Sequence, residues 1–136
     1  MENCIFCKII KGEMPSDKVY EDEKCFVFLS INPNNFGHTL LIPRTHYRNY
    51  FETPDEVLEY LAVKAKSLGE SIKKAVDAEG MNIIINSEKA AGQVVFHTHI
   101  HLIPRYGIDG HQHWLPKQYQ SDISKQVAEK IKKEIE

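Results

Sequence analysis

No stretch of this chain approaches the ~20 consecutive apolar residues that a membrane span needs, and no tract of it is repeated, low in complexity or rich in Gly and Ser. Neither sign of charge dominates. With 17 Lys plus Arg against 19 Asp plus Glu and a net charge of −2, the sequence carries no general nucleic-acid footprint. Three cysteines are an odd count, two of them at Cys-x-x-Cys spacing, which suits a reducing compartment where thiols bind metal or stay free. Met1-Glu2-Asn3-Cys4 does not begin a secretory signal, and cytoplasm is the expected location. A Gly-rich Walker loop and a carboxylate cluster able to hold magnesium are also missing, so chemistry on a phosphate is expected to need no metal in its chemical step. What is present, 42% hydrophobic residues in 136, suffices for one domain spanning residues 1–136.

Periodicity places the elements. Val19-Tyr20 and Cys25-Phe26-Val27-Phe28-Leu29, parted by the acidic turn Glu21-Asp22-Glu23, read as a hairpin. Thr39-Leu40-Leu41-Ile42 is a further strand. Thr53-Pro54-Asp55-Glu56 opens a helix with Thr53 as N-cap, Pro54 at the first position and Glu56 closing a capping box; Gly80 is the expected terminator. Between them Val57, Leu58, Leu61, Ala65, Leu68, Ile72 and Val76 recur at helical spacing and lay one apolar stripe across a sheet. Met81-Asn82-Ile83-Ile84-Ile85 is the fourth strand. Ser121 caps a last helix that carries Ile123, Val127, Ile131 and Ile135. The expected class is α+β: an antiparallel sheet of about five strands with one long helix and a C-terminal helix.

The most informative segment is Phe96-His97-Thr98-His99-Ile100-His101-Leu102-Ile103-Pro104-Arg105. On a strand, alternate residues share a face, so this run predicts a fifth strand with Thr98, Ile100 and Leu102 on a core and His97, His99 and His101 as an imidazole row on the other side. Imidazole can be nucleophile, proton carrier or metal ligand near neutral pH, and three stacked together are electrostatically costly if more than one is charged. Separately, Cys4-x-x-Cys7 is half of a tetrahedral zinc site without a second cysteine pair. Its alternatives are a redox dithiol or two small buried side chains. Cys25 reads as core. His111 and His113, beside Trp114, read as loop residues.

His-x-His-x-His followed by two apolar residues and preceded by Ala91-Gly92-Gln93 resembles the signature of the histidine triad superfamily. Cys4-Ile5-Phe6-Cys7-Lys8-Ile9-Ile10, Asn32-Pro33, Gly37-His38-Thr39-Leu40-Leu41-Ile42-Pro43 and Asn86 fall in that family's order, with its bacterial nucleotide-binding branch the nearest likeness. The resemblance implies homodimers that join their sheets, and hydrolysis of purine nucleoside 5′-phosphoramidates. In that reading His99 attacks the α-phosphate to give a covalent nucleotidyl-imidazole that water hydrolyses. His101 binds the phosphate oxygens or protonates the leaving amine, and a backbone carbonyl fixes the tautomer of the attacking ring. Asn86 and Gln93 are implied as neutral donors to the phosphoryl oxygens, and His38 as a hydrogen-bonding neighbour of the row. Phe6, Ile9, Phe28 and Ile31 are implied as the apolar walls around a base. The resemblance completes the zinc site with His46 and His97, closed and structural, leaving His99 and His101 free. In one departure, Ser30 stands where relatives usually place the Asp that accepts from the ribose hydroxyls. A dinucleoside polyphosphate hydrolase or nucleotidyl transferase would use the same His99, and a non-catalytic nucleotide-binding or scaffold dimer would use the surface alone.

Overall fold

A computed structural model describes residues 2–135 of the chain. Five strands form one antiparallel sheet: β1 (Lys18–Glu21), β2 (Cys25–Leu29), β3 (Thr39–Pro43), β4 (Gly80–Ile85) and β5 (Ile100–Arg105), in the order β1-β2-β3-β5-β4. Helices α1 (Ile5–Ile10) and α2 (Asp55–Ala75) cover opposite faces, and α3 (Ile123–Ile135) follows an irregular stretch. Alternation along the strands sorts the core into two layers. Cys25 and Val27 of β2, Leu41 of β3, and Ile100 and Leu102 of β5 meet Leu61, Ala65 and Ile72 of α2. The intervening Phe26, Phe28, Leu40 and Ile42 pack with Phe6 and Ile9 of α1. The apolar stripe of α2 is therefore core, as its spacing predicts.

Hairpin β1–β2 is closed by Asp22, whose Oδ1 accepts from the backbone N–H of Lys24 and Cys25, both at 2.8 Å. The Tyr60 hydroxyl donates to the same carboxylate and ties α2 to the turn.

Four expectations are corrected. The capping box does not form: α2 begins after Pro54 with no side-chain cap. The Thr53 hydroxyl is committed elsewhere, donating to Asn49 O at 2.7 Å and pairing with Thr98 Oγ1 at 2.8 Å. Nor does Gly80 end the helix, since Asp77 adopts a left-handed φ of 55°, with Ala78 N donating to Lys73 O and Asp77 N to Lys74 O. This is the Schellman turn with Asp where glycine is usual, and Gly80 is free to open β4. Asp122, not Ser121, immediately precedes α3, its carbonyl accepting from Gln126 N. The fifth strand starts only at Ile100, so His97 and His99 lie in the irregular run that feeds it. Pairing with β3 extends only to Ile100, and the preceding segment is held instead by Thr98 N donating to Tyr47 O at 2.8 Å.

Candidate functional site

Cys4 Sγ accepts from Cys7 N at 3.5 Å and caps the first turn of α1, so the short helix that the sequence reading missed brings both thiols to one end. There the structure gathers Cys4, Cys7, His46 and His97, one donor atom from each lying within 4.8 Å of every other. His97 gives its Nε2–H to Pro43 O at 2.8 Å, leaving a lone pair on Nδ1. That atom lies 3.5 Å from Cys4 Sγ, 3.6 Å from Cys7 Sγ and 3.2 Å from His46 Nδ1, and Cys7 Sγ is 3.5 Å from His46 Nδ1. Tetrahedral zinc with Zn–S near 2.3 Å and Zn–N near 2.05 Å would space sulfur and nitrogen about 3.6 Å apart and two nitrogens about 3.3 Å apart. The donor set thus fits such an ion in kind and in spacing. Burial, with the nearby cationic groups adding, lowers His46 and His97 from their ordinary values, His97 to about 4, so both present neutral imidazoles. Burial and the neighbouring Cys4 raise the Cys7 thiol, a penalty on the thiolate that a bound cation would remove.

The remaining two histidines of the row lie on the α1 face. His99 is buried, with Nδ1 at 2.7 Å from the carbonyl oxygen of His97. A carbonyl only accepts, so the proton sits on Nδ1 and Nε2 is a bare lone pair. Burial lowers the His99 pKa, which keeps that lone pair available. Phe6 meets the ring edge-on, centroids 5.2 Å apart, and His101 lies 4.8 Å away by the same measure.

His101 is oriented from the other side. The backbone N–H of Asn34 donates to His38 Nδ1 at 2.9 Å, so a neutral His38 carries its proton on Nε2. That atom is 2.9 Å from His101 Nδ1, which must accept, and the His101 proton is left on Nε2. Burial lowers both rings, with cationic His99 adding in each case, His101 to about 4. Two neighbouring imidazoles therefore have opposite polarity: His99 offers a lone pair and His101 a donor. Gly37, at φ +86°, permits this approach, because a Cβ there would stand 3.1 Å from Pro104 Cγ and 3.2 Å from Val76 Cγ1.

The other expected residues divide. Phe6, Ile9 and Phe28 are buried together beside the row. Ile31, expected with them, is 77% exposed and joins neither apolar cluster, because it lies in the loop beyond the end of β2. Gln93 is buried but not free. Its Nε2 donates to Arg48 O at 2.8 Å and Val95 O at 3.1 Å, and its Oε1 accepts from Glu88 N at 2.8 Å, so the carboxamide braces its loop rather than facing a phosphate. Asn86 directly follows Ile85, where pairing with β5 ends opposite Ile100. Ser30 directly follows β2, its N–H donating to His38 O at 2.9 Å. Sequence reasoning missed Asn34, which acts through its backbone and so leaves no residue-type signal, and the Arg48–Glu88 pair, separated by 40 positions.

A row of imidazoles above one face of an antiparallel sheet, its first member turned toward a Cys/His cluster, defines the histidine triad class. The family model for the HIT domain matches residues 11–108, and the chain belongs to that family. It is 47% identical over 103 residues to the adenylylsulfatase HINT3 of Arabidopsis thaliana, covering 76% of this chain and 52% of that protein; the chain thus spans about half the length of that relative. Among solved structures it is similar to a protein of Streptococcus mutans, with a TM-score of 0.91 and 43% identity over 100% of this chain and 87% of that one. It is also similar to a zinc-bound histidine triad family protein of Mycobacterium smegmatis, with a TM-score of 0.78 and 36% identity over 86% and 85%.

Proposed function

We propose that the chain is a nucleotide-binding hydrolase that cleaves purine nucleoside 5′-phosphoramidates through a covalent nucleotidyl-His99 intermediate. The observation that carries this reading is the hydrogen bond from His99 Nδ1 to His97 O, which leaves Nε2 unprotonated beside a donor of fixed polarity on His101. Attack of Nε2 on the α-phosphorus forms a P–N bond as the bond to the leaving amine breaks. The ring acquires positive charge, and His97 O stabilises it through the Nδ1–H. His101 donates from Nε2 to a phosphoryl oxygen; if it surrendered that proton it would become an imidazolate unless His38 passed on its own, so the leaving amine draws its proton from water. The hydroxide left by that water then attacks phosphorus, the P–N bond to His99 Nε2 breaks, the nucleotide leaves, and His99 returns to its neutral tautomer.

The residues Cys4, Cys7, His46 and His97 would hold zinc, whose contribution is structural: it ties α1 to the segment that delivers His97 O. A homodimer is part of the same reading. It is supported by β4 lying at the edge of the sheet and by an apolar groove of about 470 Å³ between α2 and β4, lined by Leu58, Leu61, Ala65, Met81 and Ile85 among others. Among the described residues no helix is long and apolar enough to cross a membrane.

A second reading, hydrolysis of adenylyl sulfate, is favoured by the likeness to the Arabidopsis adenylylsulfatase and by a His101 that donates a hydrogen bond rather than a proton, since sulfate departs without one. Turnover of adenosine 5′-phosphoramidate and adenylyl sulfate by the same preparation, with trapping of the nucleotidylated protein, tests both. Absence of a covalent adduct under turnover overturns the shared mechanism.

A further inference from the structure

Glu88 has φ 74° and ψ 160°, a region that is essentially glycine's alone because a Cβ there crowds the backbone. The two other described non-glycine residues of positive φ, Asp77 at 55° and Ser121 at 51°, lie near the φ of the milder left-handed helical well. A conformation such as that of Glu88 persists only where its surroundings over-determine it. Here they do. Its carboxylate takes both terminal nitrogens of Arg48, Nη1 to Oε1 and Nη2 to Oε2 at 2.9 Å, and Asn49 Nδ2 at 2.7 Å. Its N–H donates to Gln93 Oε1, and its carbonyl accepts from Ala91 N and Gln93 N, both at 3.1 Å. Gln93 reaches back to Arg48 O, and the Arg48 guanidinium lies 4.7 Å from the centroid of the Phe96 ring. Glu88 thus clasps two segments, Arg48–Asn49 and Ala91–Gln93, and Arg48 extends the contact to Phe96.

The clasped connection runs from Asn86, at the end of β4, to His97. Strand pairing stops at Ile85 opposite Ile100, so beyond it the connection, not the sheet, sets where the Asn86 side chain lies. The Asn86 Nδ2 lies 3.7 Å from where a Cβ on Gly92 would stand. The Arg48 and Glu88 side chains are 44% and 50% exposed, and an ion pair so exposed contributes little to global stability; its consequence is local geometry.

We propose that the Arg48–Glu88 pair is a positioning device that sets Asn86 against the phosphoryl group attacked by His99. The inference rests on the reading of His99 as nucleophile. Because Asn86 would act on charge that develops at the oxygens during attack, displacing it should affect kcat more than binding.

The experiment measures kcat, KM, AMP affinity and Tm for the full chain and for Arg48→Ala, Arg48→Lys and Glu88→Gly. For Arg48→Ala we expect kcat to fall by about tenfold or more, the scale on which small misplacements act, while the AMP Kd moves by less than about threefold and Tm by no more than about 3 °C. Arg48→Lys keeps the charge without the fork and recovers part of kcat. Glu88→Gly is the decisive variant, since it relieves the backbone: Tm is kept or raised while kcat falls as in Arg48→Ala. If wild type turns over and both Arg48→Ala and Glu88→Gly stay within about twofold of its kcat, a change too small for a positioning role, the clasp is overturned and the nucleophile stands. Loss of kcat only in step with a collapsing Tm overturns it as well. A folded, AMP-binding wild type that turns over neither phosphoramidate nor adenylyl sulfate overturns the nucleophile reading, and the inference with it.

Discussion

His97 and His99 sit two residues apart in the same irregular run, both buried, both shifted below the ordinary imidazole pKa by burial, and both donating one ring N–H to a backbone carbonyl. What differs is the nitrogen. His97 commits Nε2 to Pro43 O and keeps a lone pair on Nδ1, close to its own backbone, where the thiols of α1 and His46 converge. His99 commits Nδ1 and keeps the lone pair on Nε2, at the tip of the side chain, with the His101 ring beside its own. In the proposed reading, identical side chains are directed to chelation or to attack by which carbonyl each one meets. The two roles meet in one residue, because the side chain of His97 belongs to the Cys/His cluster and its carbonyl holds His99.

The largest expected effect breaks the comparison at the His99 end. His99→Ala should lower phosphoramidate turnover by on the order of 10³-fold or more, since the covalent route is removed, with zinc content and AMP binding unchanged. Rate and metal are measured on one preparation. Near wild-type turnover, or loss of metal, would show that the two ends are not separable as argued. Next comes the other end. Cys4→Ser or His46→Ala should release the metal and lower Tm by roughly 10 °C, as expected when a structural site contributes a few kcal/mol, with a smaller proportional effect on rate. A protein purified without metal, and equally stable with and without these substitutions, would sink this half.

Legibility followed the same physics. The strands and the α2 stripe were readable because period 2 and period 3.6 are written in residue type, and Ile100 and Leu102 do face α2 as the alternation requires. Helix α1 was missed because six residues show too little periodicity, and its start depends on a sulfur cap. The capping box failed because Thr53 has stronger partners in Asn49 and Thr98, and no local pattern shows a hydroxyl's competing bond 45 positions away. The row itself was legible, and so was the need for a backbone carbonyl to fix the tautomer of the attacking ring; which main-chain group meets which nitrogen was not. Which nitrogen carries the proton depends on Pro43 O, His97 O and Asn34 N, and main-chain groups leave no trace in composition. Gln93 was expected as a donor to phosphoryl oxygens, and its bonds to Arg48 O, Val95 O and Glu88 N leave no local pattern that would have shown it as a brace.

A smaller effect sharpens the comparison through pH. Burial, with the His99 and His38 charges adding, depresses His101 from an ordinary value near 6.5 to about 4, and burial depresses His38 in the same direction. Between those values the unfolded chain binds protons that the native state refuses. The contribution is therefore fully present above about 6.5 and is lost as pH falls through about 4, at up to about 1.4 kcal/mol for each unit of depression. Urea melts of wild type and His101→Gln from pH 7.5 to 4.5 should show the steeper acid loss in wild type. Parallel curves would mean that His101 titrates as an unburied ring.

The smallest expected effect concerns the sugar. Ser30 follows β2 with its N–H on His38 O, so it stands at the start of the loop that orients His38 and, through it, His101. The resemblance implies an Asp at this position that accepts from the ribose hydroxyls. A carboxylate holds two hydroxyls with charge-assisted bonds worth ~1.5–3 kcal/mol, whereas one serine hydroxyl offers a neutral bond nearer ~1 kcal/mol. Ribose is remote from the reacting phosphorus, so the difference should appear in binding and leave kcat almost unchanged. Ser30→Asp should therefore tighten AMP by up to roughly tenfold, a change of about 1.4 kcal/mol, and should raise the preference for AMP over dAMP. Asn32 or a bridging water could supply the missing acceptor instead, and that alternative makes the opposite prediction. Titrating AMP and dAMP against both proteins separates the two: equal AMP/dAMP affinity ratios in wild type and Ser30→Asp would show that this position does not read the sugar.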